Sequence, residues 1–215
     1  MGRRSAPQLG ALPWWQDGFL SADLCARILD ELEITLWRRS TVVMRPGQPE
    51  ARSVVSGSRT SETAFEPWFS PALRRILRRI EGRLEPLLGA ERVRMEAWQA
   101  TRYRRGAAFR EHHDAGFGRD GLGGERTRTV ILYLDTPSRG GATRFSALDL
   151  TVAPNPGRLL TWGNLTPEGA CDPRMRHAAL PIRAGTKTVL VTWIREHDVR
   201  AQRPTRRGPR SEEQT

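Results

Sequence analysis

From residue 92 onward the chain has no long amphipathic stripe. It runs instead through short β-like stretches punctuated by Gly, Pro and Asp: Val93–Arg104, Ala107–His112, Thr127–Asp135, Thr143–Phe145, Leu150–Val152, Arg158–Trp162, His177–Pro181 and Lys187–Arg195. Roughly eight strands at turn intervals of about 8–12 residues cannot make a helical bundle or an alternating α/β sheet; they predict a jelly roll or barrel-like sandwich. The N-terminal part must then cover one face of that sheet. One helix is expected after Ser21, with Asp23 in its first turn and Cys25, Ile28, Leu29 and Leu32 along one side. A second, from about Pro71 to Leu88, carries Leu73, Ile76, Leu77, Ile80, Leu84, Leu87 and Leu88 at helical spacing, with Ser70 as N-cap, Pro71 at N1 and Gly89 to end it. Between them, Thr41–Ser56 reads as a hairpin about a Pro-Gly-Gln-Pro turn, and Gly57–Phe69 as a polar loop over a site. The fold class is mainly β with flanking helices (α+β).

At 215 residues the chain suits one domain. Residues 1–10 and 199–215 read as disordered segments around a domain spanning 11–198, with N-terminal support over about 15–91 and a core over about 92–196. The Gly-rich stretch 115–125 reads as a mobile lid. Two cysteines are too few for a disulfide framework, no apolar run approaches the ~20 residues of a membrane helix, and no secretory signal opens the chain. A cytoplasmic, bacterial-type protein is expected. The net charge is +11, of which residues 1–10 carry +2 and 199–215 carry +3. The remaining positive body would favour an acidic partner, such as an acidic carrier protein or peptide. Oligomeric state is not legible.

Of 35 basic residues only Lys187 is a lysine. Where arginine is the default cation, a lone lysine points to a need for a slim point charge rather than a wide planar fork, as in a narrow pocket for one carboxylate. It heads the segment Lys187-Thr-Val-Leu-Val-Thr-Trp193, in which Lys187, Val189, Val191 and Trp193 share a strand face. An inward lysine there needs an anion.

Three of the four histidines lie in two places suited to a metal. In Glu111-His-His-Asp114, His112 and Asp114 project from the same side of an extended strand and His113 from the other. With His177 as the natural third ligand, they would form the two-His, one-carboxylate facial set of non-haem Fe(II).

These segments resemble the prolyl 4-hydroxylase family of Fe(II)- and 2-oxoglutarate-dependent dioxygenases. Tyr103-Arg-Arg-Gly106-Ala-Ala-Phe109-Arg-Glu-His112-His-Asp114 is similar to that family's Tyr-x-x-Gly-x-x-Tyr-x-x-His-x-Asp. Arg126-Thr-Arg-Thr129, leading to Tyr133-Leu134, resembles its Arg-x-x-Thr strand, and Gly140-Gly-Ala142-Thr143-Arg-Phe145 its Gly-Gly-Glu-Thr-x-Phe motif. The run from Asp172 through His177 and Gly185-Thr-Lys187 to Trp193 follows the distal half, and Arg59-Thr60-Ser61 is similar to its Arg-Thr-Ser loop. Phe109 stands where Tyr is common and Ala142 where Glu is usual.

The resemblance implies a double-stranded β-helix (jelly roll, cupin-like) and Fe(II) on His112, Asp114 and His177. It implies that 2-oxoglutarate is held by Lys187 at its C5 carboxylate, with Tyr103, Thr129 and Tyr133 as pocket positions. O₂ would be the oxidant, ascorbate a supporting reductant, and succinate and CO₂ the co-products of C–H hydroxylation. Arg59, Thr60 and Trp193 would meet the substrate: an amino acid, a carrier-bound amino acid or a peptide. The carboxylate at Asp114 favours hydroxylation over halogenation. A nucleic-acid demethylase of the AlkB kind would use an arginine beyond the distal histidine, where Ile194 stands here, so nucleic acid is not the expected substrate. A non-catalytic module on the same fold would lack a ligand, and none is lacking.

Overall fold

The computed structural model describes residues 11–44, 52–116 and 123–200. In chain order the elements are β1 (Trp14–Gln16), α1 (Ala22–Glu33), β2 (Arg38–Arg39), β3 (Thr41–Met44), β4 (Arg52–Val55), β5 (Glu62–Phe65) and α2 (Pro71–Leu88). There follow β6 (Gln99–Tyr103), β7 (Phe109–His112), β8 (Arg126–Tyr133), β9 (Arg139–Gly140), β10 (Thr143–Phe145), β11 (Leu150–Val152) and β12 (Leu159–Gly163). The last are β13 (His177–Ala179), β14 (Ile182–Ala184) and β15 (Lys187–Arg195). Among the described residues, no helix is long and apolar enough to cross a membrane.

A seven-stranded antiparallel sheet, ordered β1-β12-β8-β15-β6-β5-β2, faces a four-stranded one, ordered β11-β10-β13-β7. This is the expected jelly roll. The central strands β8 and β15 alternate strictly. Val130, Leu132, Leu190 and Ile194 belong to a core completed by Leu73, Leu77, Ile80 and Leu84 of α2 and Ile28 and Leu32 of α1. Tyr133 and Val189 join Tyr103, Phe145, Leu160 and Trp162 in a second core between the sheets. One strand thus supplies both cores because its side chains alternate at period two.

Both helices start and stop where their capping chemistry places them. Ser21 and Ser70 accept from the Leu24 and Leu73 N–H groups, and Gly89 takes the left-handed conformation (φ 62°) that a Cβ would disfavour. The hairpin β3–β4 pairs Thr41 with Val55 through Met44 with Arg52; its Pro-Gly-Gln-Pro turn lies outside the described residues. Residues 1–10 and 201–215 of the segments expected to be disordered, and 117–122 of the expected lid, lie there too; Val199 and Arg200 of the expected tail are instead bonded to Val93 and Glu81.

Two expectations need correction. The segment Gly57–Phe69 is not all loop: it contains β5, bonded to both β2 and β6, with Thr63 and Ala64 buried. Its polar look misleads because Thr63 and Ser61 satisfy their hydroxyls inside the protein, on Ser40. The strand expected from Val93 starts only at Gln99; Arg92–Arg94 form a 3₁₀ turn, which hydrogen bonds from Arg94 and Met95 close. From residue 92 onward β9 and β14 add to the expected eight strands, being too short to show alternation.

Candidate active site

His112 ends β7 and His177 opens β13, and these two strands pair with His112 directly opposite His177. Asp114 follows two residues later. The three therefore meet at one end of the minor sheet, with one ligand atom from each lying within 4.8 Å of the others. Each imidazole uses Nδ1 on a backbone carbonyl two residues back: Arg110 O at 2.9 Å for His112 and Met175 O at 3.0 Å for His177. A carbonyl only accepts, so Nδ1 carries a proton, and in a neutral ring this leaves the Nε2 lone pair free. The two Nε2 atoms stand 3.7 and 3.6 Å from Asp114 Oδ1 and Oδ2, too far for hydrogen bonds. Three electron-pair donors thus point at a common centre, as a divalent cation requires.

The electrostatics agree. Burial, then His177, pushes His112 far below the ordinary imidazole range, so the ring is neutral. Burial would raise Asp114, but His177, His112, Arg126 and the Thr129 hydrogen bond outweigh it and hold the carboxyl low, so it is ionised. Neutral imidazoles and a free carboxylate are the states that bind metal.

The ligands are held from behind. Thr129 Oγ1 donates to Asp114 Oδ2 at 2.7 Å and itself accepts from Asn164 Nδ2 at 3.0 Å. Phe109 stacks on His112 at 3.6 Å between centroids, and Trp162 meets His177 edge-on at 4.7 Å. Thr129 therefore touches a ligand rather than lying along the cosubstrate pocket alone. Half-buried His113 lies in the cavity wall and is not one of the three.

The ligands share a cavity of about 480 Å³ with Lys187. Lys187 opens β15, opposite Tyr103 of β6, and is only 2% exposed. Its Nζ donates to Gly141 O at 2.7 Å and lies 4.5 Å over the Tyr103 ring. Among the described residues no carboxylate is within ion-pair reach of Nζ. Burial, only partly countered by Asp135, pushes this lysine down to about 7. Gly141 has φ 79°, and a Cβ there would lie 2.6 Å from Ile182 Cδ1, so glycine is required beside the lysine. Tyr133 and Thr143 exchange a 2.7 Å hydrogen bond in the same cavity wall.

The outer wall includes Thr41 and Val42 of the hairpin, Phe109, Trp193 and three arginines, Arg59, Arg110 and Arg126. Arg126 lies 3.7 Å over the Trp193 ring and is gripped at both ends by Glu96, at 2.6 and 2.8 Å. Trp193 lines the cavity with its indole Nε1 buried and unpartnered. Arg59 lines the cavity as well, whereas Thr60 does not: its backbone and hydroxyl bond to Ala108 at the edge of β7. Sequence reasoning missed Asn164, Glu96 and Thr143. Thr143 lies within the quoted Gly-Gly-Ala-Thr motif, which was its only signal; nothing local marks the other two.

Residues 98–195 match the model of the 2OG-Fe(II) oxygenase superfamily. Prolyl 4-hydroxylase subunit alpha-2 of Caenorhabditis elegans is 31% identical over 166 residues, which cover 71% of this chain and 31% of that protein. Prolyl 4-hydroxylase subunit alpha-1 of Gallus gallus is 34% identical over 145 residues, covering 64% of this chain and 28% of that one. The chain thus spans less than a third of the length of these relatives. Two solved structures share the fold. The viral collagen prolyl hydroxylase of Paramecium bursaria Chlorella virus-1 in its 2OG complex has a TM-score of 0.66 at 23% identity, covering 85% of this chain and 95% of that one. A Pseudomonas putida prolyl-4-hydroxylase has a TM-score of 0.53 at 22% identity, covering 88% and 93%. The region that matches the 2OG-Fe(II) oxygenase superfamily holds the triad and Lys187 together, and over a longer stretch the chain is similar to prolyl 4-hydroxylase subunits.

Proposed function

We propose that this chain is a 2-oxoglutarate- and Fe(II)-dependent dioxygenase that hydroxylates a C–H bond of proline or a prolyl residue, free, carrier-bound or in a peptide. The observation that carries this reading is the convergence of His112, Asp114 and His177 in the same cavity as an otherwise uncompensated Lys187. The prolyl 4-hydroxylase relatives support the choice of substrate.

In this reading His112 Nε2, Asp114 and His177 Nε2 would hold the iron, which with 2-oxoglutarate and O₂ would supply the oxidant, 2-oxoglutarate being converted to succinate and CO₂. Lys187 binds the distal carboxylate of 2-oxoglutarate, with Tyr103, Tyr133 and Thr143 around it. Thr129, anchored by Asn164, fixes the direction of the Asp114 lone pairs. Val189, Val191 and Ile131 keep the cavity wall apolar, and Trp193 and Arg59 stand where a substrate enters.

The test is succinate formation from 2-oxoglutarate with Fe(II) under air, with and without proline, other amino acids and proline-containing peptides. Dependence on both His177 and Lys187, with stimulation by a prolyl compound, is the expected result. Inability to bind Fe(II) and 2-oxoglutarate would sink the reading.

A further inference from the structure

Several arginines among the described residues meet a carboxylate. Arg126 and Arg195 share Glu96, Arg158 holds Asp17 at 2.7 Å, and Arg200 reaches the buried Glu81 at 2.7 Å. Arg59 does not. Its Nε faces Ser61 Oγ at 3.3 Å, one terminal nitrogen faces Thr41 O at 3.3 Å, and the other faces the hydroxyls of Thr63 and Thr101, each at 3.4 Å. All four acceptors are neutral and all four bonds are long for N–H···O. One of the five N–H donors is left over. Among the described residues, no carboxylate lies within ion-pair distance of Arg59. Its guanidinium sits 4.9 Å over Phe109, the ring that stacks on His112, so the charge stands in the cavity wall beside the metal ligands.

The charge balance of the cavity points the same way. Of its charged wall residues, Arg126 is already paired with Glu96 at 2.6 Å and Glu111 with Arg176 at 3.6 Å, which leaves Arg59, Arg110 and Lys187 against Asp114. A divalent iron and a dianionic 2-oxoglutarate cancel one another, so loading both leaves the positive excess in place. A guanidinium held in a partly closed cavity by weak neutral bonds is costly until an anion arrives, and its planar fork suits a carboxylate.

Resting on the functional reading above, we infer that the substrate carries a carboxylate near the hydroxylated carbon and that Arg59 receives it. A prolyl residue flanked only by neutral residues leaves this charge unanswered. The carboxylate can belong to a free amino acid, a peptide C-terminus or an acidic side chain next to the target.

Anaerobic titration calorimetry on protein loaded with Fe(II) and 2-oxoglutarate separates these sources with three matched pairs. They are L-proline against L-prolinamide, acetyl-Gly-Pro-Gly against its C-terminal amide, and acetyl-Gly-Pro-Glu-amide against its Gln counterpart. At least one acid is expected to bind about tenfold or more tightly than its neutral mate, a preference that Arg59→Gln reduces to about twofold or less and Arg59→Lys partly keeps. Titration of each variant with 2-oxoglutarate reports that the cavity is intact. Equal binding of acid and neutral mates by the wild type overturns the inference. So does an equal loss of both in Arg59→Gln, which would mark Arg59 as a structural tie between β3, β5 and β6. So does the absence of binding by every acid to protein that still takes up 2-oxoglutarate. Failure to take up 2-oxoglutarate, by contrast, strikes the oxygenase reading itself.

Discussion

Val189 and Leu190 are neighbours on β15, yet they belong to different kinds of interior. Leu190 is wholly buried with Leu77, Ile80 and Leu84 of α2, in a core of aliphatic and aromatic side chains. Val189 faces a cavity that also holds His112, His113 and His177, an ionised Asp114 and a lysine that burial pushes down to about 7. The helix side of the sheet meets its needs within the protein. The cavity side leaves electron pairs and positive charge without a full complement, and a metal, a dicarboxylate and a substrate would supply the missing partners. Stability and chemistry are thus divided between two faces of one sheet, and substitutions on each should read out differently.

The sharpest separation is expected from His177→Ala. It removes one of three metal donors but leaves the helix-side core intact, so 2-oxoglutarate turnover should fall below detection and Fe(II) binding should collapse while the melting temperature of the metal-free protein changes little. Comparable loss of the native circular dichroism signal would break the comparison.

Leu77→Ala should show the reverse pattern. Leu77 is fully buried under α2, and truncation there should destabilise the protein by about 2–5 kcal/mol in urea unfolding, with turnover at low temperature preserved.

Lys187→Met is expected to lower the affinity for 2-oxoglutarate roughly 10- to 100-fold, because a charge-assisted contact is lost. Without 2-oxoglutarate, the same variant should be at least as stable as the wild type below pH 7, since it removes a buried, incompletely partnered ammonium. The pH dependence follows with a definite sign. Lys187 titrates at about 7 in the folded protein against 10.5 as a free side chain. Between those values the unfolded chain binds the extra proton, so this residue's contribution to stability rises with pH across that window and is lost as pH falls through 7. Binding of 2-oxoglutarate needs the proton, so its affinity should be flat below pH 7 and weaken above it. A wild-type affinity unchanged up to pH 9 would contradict this placement of the lysine.

The mildest effect is expected at Thr129. Thr129→Val frees Asp114 Oδ2 from its 2.7 Å donor and should weaken metal affinity by roughly tenfold or more, with Thr129→Ser restoring it. Rescue by serine distinguishes orientation of the carboxylate from simple packing.

Legibility of the fold followed the length of each pattern. The eighteen residues of α2 and the nine of β15 present enough turns or alternations for period and caps to be read directly. β9 and β14 are too short to carry a period, and β5 looks polar because its buried hydroxyls find partners only across the chain. The site divides in the same way. His112, Asp114, His177 and Lys187 belong to local motifs with characteristic spacing and were visible. Asn164, which anchors Thr129, and Glu96, which clamps Arg126, were not, because their partners lie 35 and 30 residues away.

By itself the sequence determined the alternation that builds two cores from one sheet, the helix that seals one of them, the residue types able to hold iron, and the one slim cation. Side-chain period and ligand chemistry are local properties of the chain. Only the tertiary structure decided that His177 lies opposite His112, that Thr129 turns Asp114 toward the histidines, and that Arg59 ends among neutral oxygens. Those outcomes depend on strand pairing between distant segments, and no local pattern encodes which carboxylate or hydroxyl a buried charge will meet.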